Sequence, residues 1–212
     1  MMNRQAGFPW LLAGVLSLSA PLAQADLLVY SADLTPEITG ATGSGTATVT
    51  IDTVLHSMLV NVVFSGLSGV TTAAHIHCCT AVPGTGTAGV ATQTPTFSGF
   101  PGGVSAGTYL NTFDLTLPGS WNTTFVNNNG GTPALAEVVL LAGLEDERTY
   151  LNIHTNLFPG GEIRGFLVRN VAEPGSMALL GLAVSGLMIT RRRGLKPLPD
   201  PRPGASAAPA GA

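Results

Sequence analysis

Charged residues are scarce in this sequence, and lysine is almost absent. Charged side chains make up 10% of the 212 residues, and the one lysine lies near the C-terminal end. Between residues 26 and 171 there are ten acidic residues and three arginines, which give a formal charge of −7. Nucleic-acid affinity comes mainly from basic residues that displace counterions from phosphates, so we expect no nucleic-acid partner.

Motifs that mark two common enzyme classes are also missing. The sequence contains no phosphate-binding glycine loop and no zinc-protease helix. A hydrolase or a protease-inhibitory module is a third possibility, but no residue pattern in the sequence indicates its substrate or its reaction. We therefore predict that the protein is not an enzyme.

No apolar run reaches the roughly 20 residues of a permanent membrane span, but two shorter runs flank the chain. At the N-terminal end, Arg4 precedes the apolar residues 10–20, and Ala-Gln-Ala at 23–25 is a small-x-small cleavage site. This pattern predicts a signal peptide over residues 1–25 that signal peptidase removes. An uncleaved N-terminal anchor is the alternative.

The second run, residues 177–190, is apolar and uncharged. Three arginines follow it at once, namely Arg191, Arg192 and Arg193. Because basic residues stay on the cytoplasmic side of a membrane, this end points inward and the chain before it is expected outside.

With Glu173 and Pro174 ahead of it, this segment resembles the PEP-CTERM sorting signal of Gram-negative bacteria. The resemblance implies a hydrophobic sorting helix over residues 172–193, transient anchoring in the inner membrane, and recognition and cleavage by an exosortase. It is also typical of organisms that make exopolysaccharide. Two features depart from the family pattern: Ala172 stands where a proline is usual, and a Pro/Ala-rich tail, predicted to be disordered, continues over residues 194–212.

Alternation of apolar and polar residues predicts a β-rich core between these terminal segments. Residues 46–52 and 56–65 show the period of two that half-buried strands have, and together they predict an antiparallel pair. The other predicted strands are residues 27–33, 73–77, 109–117, 148–155 and 162–168, of which the last two form a hairpin through a tight turn at 158–161.

One short helix is predicted over residues 132–143. Thr132 can cap it, Pro133 suits its first turn, and Gly143 can end it. Its predicted shared face contains Leu135, Val138, Val139 and Ala142. The predicted fold is therefore mainly β, an antiparallel β-sandwich-like single domain over residues 26–171 with one short helix, flanked by the signal peptide and the sorting helix.

Two blocks of this core resemble the CHRD domain, first described in the animal protein chordin. The first is Ala-His-Ile-His at 74–77, and the second runs from Tyr150 to Gly165 with the sequence Phe-Pro-Gly-Gly-Glu-Ile-Arg-Gly at its end. Both occur in family order, and the resemblance covers about residues 27–168. It implies an extracellular β-sandwich-like module whose biochemical role is poorly defined.

Three histidines have the spacing of metal ligands. His75 and His77 form a His-x-His pair, which on a strand places both imidazoles on one face with Cα atoms about 6.5 Å apart. His154 lies on the same face of its predicted strand as Tyr150 and Asn152 and can complete the site. Three neutral imidazoles suit copper or zinc, and the His-x-His strand is similar to the copper-ligand strand of Cu/Zn superoxide dismutase.

The alternative interpretation of these histidines is structural. In it they make buried hydrogen bonds that fix strand ends, and Glu162 and Arg164 form an ion pair beside them. In the metal interpretation, Glu162, Arg164, Cys78 and Cys79 are candidates for a further ligand or for support of the ligands.

Cys78 and Cys79 follow the pair directly, where the usual CHRD pattern has small residues. In an exported protein they can form a vicinal disulfide, bridge to another chain or bind a soft metal. We expect the oxidised pair, since the chain has no other cysteine. Its ring is too short to contribute much loop-closure entropy, so its effect would be local rigidity.

Three further features receive no function. His56 has no acidic or cysteine neighbour at ligand spacing, and the acidic residues 145–147 are predicted to form a solvated loop and not a calcium site. The Asn-Thr-Thr sequence at 122–124 matches a glycosylation sequon, but we interpret it as a turn.

These observations support two hypotheses for function. The leading one is an exported cell-surface or extracellular-matrix module, binding or structural, that an exosortase processes and that is then displayed or released. Exopolysaccharide or surface proteins are its candidate partners. The alternative is an extracellular copper- or zinc-binding protein, redox-active in the copper form, that uses His75, His77 and His154.

Overall fold

A computed structural model describes residues 27–170 of the chain. In chain order its elements are β1 Leu27–Pro36, β2 Ser44–Asp52, β3 Ser57–Ser65, β4 Thr71–Cys78, β5 Gly107–Asp114, a 3₁₀ turn Pro118–Ser120, α1 Thr123–Asn128, α2 Pro133–Glu145, β6 Thr149–Thr155, β7 Ile163–Phe166 and β8 Val168–Arg169. No helix between residues 27 and 170 is long and apolar enough to cross a membrane. The predicted signal peptide, sorting segment and tail lie outside the described residues.

One antiparallel sheet contains every strand, in the order β4-β6-β7-β1-β2-β3-β5, with β8 paired to β1. Strand β1 joins two halves of this sheet, β4-β6-β7 and β2-β3-β5. Its residues 27–34 pair with β2, while Thr35 and Pro36 pair with β7. Apolar residues of both halves belong to one core, so the sheet is curled. The prediction of a single, mainly β, antiparallel domain is confirmed. One curled sheet forms both layers of the predicted sandwich.

The two ends of the domain meet at β1. Strand β8 pairs Arg169 with Tyr30, and the backbone N–H of Asn170 donates to the carbonyl of Val29 at 2.7 Å. The first and last described strands therefore lie side by side in the sheet.

The hairpin of β2 and β3 confirms the alternation found in the sequence. Val49 and Ile51 of β2, and Met58 and Val60 of β3, are fully buried, and the register places Val49 opposite Val60 and Ile51 opposite Met58. Burial of each such side chain contributes about 1.5–3 kcal/mol, so this face provides a large part of the core.

Strand β5 ends earlier than predicted. The carboxylate of Asp114 accepts hydrogen bonds from the backbone N–H and the hydroxyl of Thr116, at 2.9 and 2.6 Å. Such local bonds compete with strand pairing and turn the chain. Leu117, which lies within the predicted strand 109–117, is outside β5 and 55% exposed.

Helix α2 begins as predicted, with the Thr132 hydroxyl accepting a hydrogen bond from the N–H of Leu135. The predicted buried face is wrong, since Leu135 is 49% and Val138 is 61% exposed. The residues that are buried instead are Ala136, Glu137, Leu140, Gly143 and Leu144. Because the helix is apolar on nearly every side, its sequence period does not select one face.

Helix α1 was not predicted. Asn122, which we interpreted as part of a turn, caps this helix by accepting a hydrogen bond from the N–H of Thr124 at 2.9 Å. Phe125 of α1 is buried and stacks on Trp121, with 6.1 Å between the ring centroids. The cap and this aromatic pair attach a helix of only six residues to the core.

Gly143 does not end α2 but forms its contact with the end of β4. Cys78 and Cys79 are bonded to one another through their sulfur atoms. A Cβ atom at Gly143 would overlap both sulfurs and come within 2.8 Å of the Thr149 hydroxyl. Only glycine permits this approach, although in a helix interior it is about 1 kcal/mol less favourable than alanine.

Replacement of Gly143 by alanine tests this contact. We expect Gly143→Ala to lower the free energy of unfolding by about 1–3 kcal/mol, because overpacking against the sulfurs outweighs the better helix propensity. Urea denaturation measures the change. Gly102→Ala is the control, since no heavy atom lies within 4 Å of its added Cβ. An unchanged or increased stability of Gly143→Ala would contradict the close packing.

Candidate metal site

The antiparallel pairing of β4 with β6 brings the three predicted histidines together. His75 lies opposite Asn152, His77 lies opposite Tyr150, and His154 is two residues beyond Asn152 on the same face of β6. The residues between them on both strands belong to the hydrophobic core. The face predicted for His154, shared with Tyr150 and Asn152, is therefore confirmed.

The ring nitrogens of the cluster are within coordination range of one another. One nitrogen from each of His75, His77 and His154 lies within 4.8 Å of the others. The closest pair is Nδ1 of His75 and Nε2 of His154, which are 3.3 Å apart. His75 and His77 are only 6% and 7% exposed, and His154 is half-buried.

Each imidazole also bonds to a backbone carbonyl through its other nitrogen. The three bonds are His75 Nε2 to Pro95 at 2.7 Å, His77 Nδ1 to Ala88 at 2.9 Å and His154 Nδ1 to Pro159 at 2.8 Å. Because a carbonyl oxygen only accepts, these nitrogens carry the hydrogen, and the other nitrogen of each neutral ring presents a lone pair.

Burial keeps the inner two imidazoles neutral. It lowers the pKa of His75 to about 4, against the opposite effect of the hydrogen bond to Pro95. Burial also lowers the pKa of His77, again opposed by its carbonyl partner. At neutral pH neither ring carries the extra proton with which it could donate to its neighbours.

Two polar atoms of this cluster lack a hydrogen-bond partner. Within residues 27–170, three buried side-chain polar atoms have none, and Nε2 of His77 and Oδ1 of Asn152 are two of them. Buried polar groups in folded proteins are almost always paired with protein or with water. Both atoms would gain a partner from a bound ion or water molecule at this place.

Aromatic and charged side chains cover the cluster. The ring of Tyr150 stacks on His77 with 4.8 Å between centroids, and the guanidinium of Arg164 lies 5.1 Å from the Tyr150 ring centre. Arg164 pairs with Glu37, with 3.1 Å between Nη1 and Oε1. The predicted ion pair of Arg164 with Glu162 is wrong, because Glu37 takes that place.

The cysteines do not join the histidines. Cys78 follows His77 on β4, so its side chain points to the opposite face and is buried in the core. No cysteine is among the ligand atoms that cluster within 4.8 Å in the described part of the chain.

Residues 19–167 match the family model of the CHRD domain. The chain belongs to the CHRD domain family. Comparison with curated proteins and with solved structures gave no match. CHRD domains are typical of extracellular or secreted proteins, so membership supports the expected export of this chain.

Glu162 of this CHRD domain has a structural position, and its carboxylate is not among the clustered ligand atoms. It is fully buried and accepts hydrogen bonds from the Thr155 hydroxyl at 2.7 Å, from the N–H of Gly69 at 3.1 Å and from the N–H of Ser68. Burial alone would raise the pKa of Glu162, but these hydrogen bonds outweigh it and lower the pKa. Its carboxylate thus connects the β3–β4 turn to the end of β6.

Two charged residues have partners that the sequence did not indicate. His56 is exposed, and it is paired with Glu137, which is distant in sequence, with 2.9 Å from Nδ1 to Oε2. Of the acidic residues 145–147, the last two lie in an exposed turn as predicted, whereas Glu145 ends α2, pairs with Arg169 at 2.9 Å and accepts from the Tyr30 hydroxyl at 2.6 Å. Both pairs are far apart in sequence, which explains why spacing did not reveal them.

Sequence reasoning also missed the backbone acceptors of the site. Two of the three carbonyls lie in the connection from β4 to β5, which runs along the edge of β4 and pairs the N–H of Ala91 with the carbonyl of Ile76. Every residue has a carbonyl, so no side-chain pattern marks those that the imidazoles use.

Replacement of Glu162 by glutamine tests its structural role. We expect Glu162→Gln to lower the free energy of unfolding by about 1–3 kcal/mol, because an amide group would face backbone donors. The pKa of Glu162 is lowered in the folded state. The stabilisation that its ionised carboxylate provides is therefore present above the ordinary pKa of 4.5, and it is lost as pH falls through the lower pKa of the folded state.

The difference from wild type in urea denaturation should therefore shrink below pH 4.5. Glu147→Gln, at an exposed loop position, is the matched control and should change stability little. A constant difference from neutral to acidic pH would contradict the assignment.

Proposed function

We propose that this protein is an exported extracellular module whose CHRD domain binds one copper or zinc ion through His75, His77 and His154. The observation that supports the proposal most is the convergence of three imidazole lone pairs within 4.8 Å. Carbonyl acceptors on the opposite nitrogens fix the tautomers and orient the rings, as outer hydrogen bonds do at known metal-binding histidines.

The purely structural alternative explains this convergence less well. That alternative accounts for the three N–H groups that point to carbonyls, but not for the lone pairs that face one another on the other side of the rings. A hydrogen bond across the 3.3 Å between His75 and His154 would need an additional proton on one ring. Burial opposes such a proton at His75, whereas a metal cation is attracted to all three lone pairs.

The distances fit a metal with imidazole ligands. Zinc–nitrogen bonds of about 2.0–2.1 Å in a tetrahedral arrangement separate two ligand nitrogens by about 3.3 Å. The His75 and His154 nitrogens are already 3.3 Å apart, so only the third ligand must move closer. Imidazole ligands suit both copper and zinc, and half-buried His154 gives access from solvent.

The proposed role is binding, and no reaction is assigned. A bound copper ion would be able to exchange an electron, whereas zinc has no redox chemistry. The chain's own residues supply three neutral ligands and a stacked Tyr150 that shields His77.

A metal titration tests the proposal on the protein produced with its own export signal. We expect one copper or zinc ion per chain, and stabilisation of about 2.7 kcal/mol when free metal exceeds Kd a hundredfold. Elemental analysis and thermal unfolding measure both quantities.

His77→Ala and His154→Ala should each remove stoichiometric binding, and His56→Ala is the matched control because His56 lies outside the cluster. His154 is half-buried, so we expect His154→Ala to fold even if loss of the buried His77 ring unfolds His77→Ala. Absence of tight binding to wild type, or equal binding by His154→Ala, would reject the metal site.

Export and processing form the second part of the proposal. The apolar run after Arg4 and the run before Arg191 support removal of residues 1–25 by signal peptidase and sorting by an exosortase through segment 172–193. The product would be displayed on the cell surface or released, where exopolysaccharide or surface proteins are its candidate partners.

Mass spectrometry of surface and secreted fractions tests this part. We expect a species that begins near Asp26 and lacks the chain after about Pro174. Arg191, Arg192 and Arg193 changed together to glutamine should reduce the processed species, since the basic stop is lost. A full-length product in the cytoplasm would contradict the prediction.

A further inference from the structure

A cavity of about 350 Å³ lies beyond the end of β4, and no histidine lines it. The disulfide of Cys78 and Cys79 forms one wall, and Val139 of α2 another. The remaining walls come largely from α1 and its flanking residues. The volume lies in the range of roughly 300–1,000 Å³ that is typical of small-molecule sites.

Three asparagines provide the polar groups of this cavity. Oδ1 of Asn122 accepts from the N–H of Thr124, and Nδ2 of Asn129 donates to the carbonyl of Phe125 at 2.8 Å. These bonds fix both amides and leave Nδ2 of Asn122 and Oδ1 of Asn129 available. The amide of Asn128 is exposed, so the cavity offers both donors and acceptors.

The other walls are apolar and held in place. Phe125 is supported by its stacking on Trp121, and the disulfide is supported by Gly143, which lies directly behind it. No charged residue lines the cavity. A ligand here must therefore be neutral, with polar groups on its rim and an apolar face.

We propose that this cavity binds a single neutral pyranose unit of a glycan. Sugar hydroxyls both donate and accept, which matches side-chain amides, and the C–H face of the ring can pack on the sulfurs and on Phe125. A charged ligand would lose hydration without gaining an ionic partner, and a wholly apolar ligand would leave the amides unpaired. This inference does not depend on the metal site.

Nuclear magnetic resonance of the ¹⁵N-labelled full chain tests the proposal. The probes are methyl glycosides of glucose, galactose and mannose, methyl N-acetylglucosaminide, and glucuronic acid as the charged comparison. We expect saturable shifts at residues around Asn128 and Val139 with a Kd on the order of millimolar for at least one neutral sugar.

Asn128→Ala should weaken that binding about fivefold, through loss of its hydrogen bonds. Asn127→Ala is the matched control, because Asn127 is the exposed neighbour of Asn128 on α1 and does not line the cavity. His154→Ala should bind the sugar as wild type does, which separates this proposal from the metal site.

Three results would overturn the proposal. They are no saturable shift with any neutral sugar, equal affinity of Asn128→Ala and wild type, and tighter binding of glucuronic acid than of every neutral probe.

Discussion

The antiparallel pairing of β4 with β6 is the constraint on which the candidate site depends. Side chains alternate between faces along a strand, so a shift of this register by one residue would move His154 to the opposite side of the sheet from His75 and His77. The core prevents that shift, because Ile76 and Ile153 occupy the alternate positions and are almost fully buried. The same burial that stabilises the sheet thus determines where the imidazoles converge.

Strand β4 is also the edge of the sheet, and the way in which this edge is covered completes the site. The connection to β5 pairs with the edge and directs carbonyls of Ala88 and Pro95 at the imidazoles. Protection of an exposed edge and orientation of the rings are therefore achieved by one segment. Tyr150 then stacks on His77, and Arg164 lies against Tyr150, so the outer face of this half of the sheet is closed by side chains.

Local patterns allowed most of the strands, the cap at Thr132 and the shared face of the histidines to be predicted from the sequence. These features depend on neighbours within a few residues, which the periodicity of a strand or helix records. The contacts that were not predicted join residues that are distant in sequence: Arg164 pairs with Glu37, and His56 pairs with Glu137. The buried face of α2 depends on a similar contact, because Gly143 packs directly against the disulfide. The spacing of apolar residues in a helix that is apolar on nearly every side does not indicate which face makes such a contact.

The pairing of β8 with β1 has a further consequence for where this domain can be placed in a chain. Because Asn170 bonds to Val29, the described residues begin and end at one place on the surface. A unit of this kind can be inserted into a loop of a host protein, or copied several times along a chain, without stretching its neighbours or opening its own sheet. The pairing of these two strands thus provides the closely spaced ends that insertion or repetition requires.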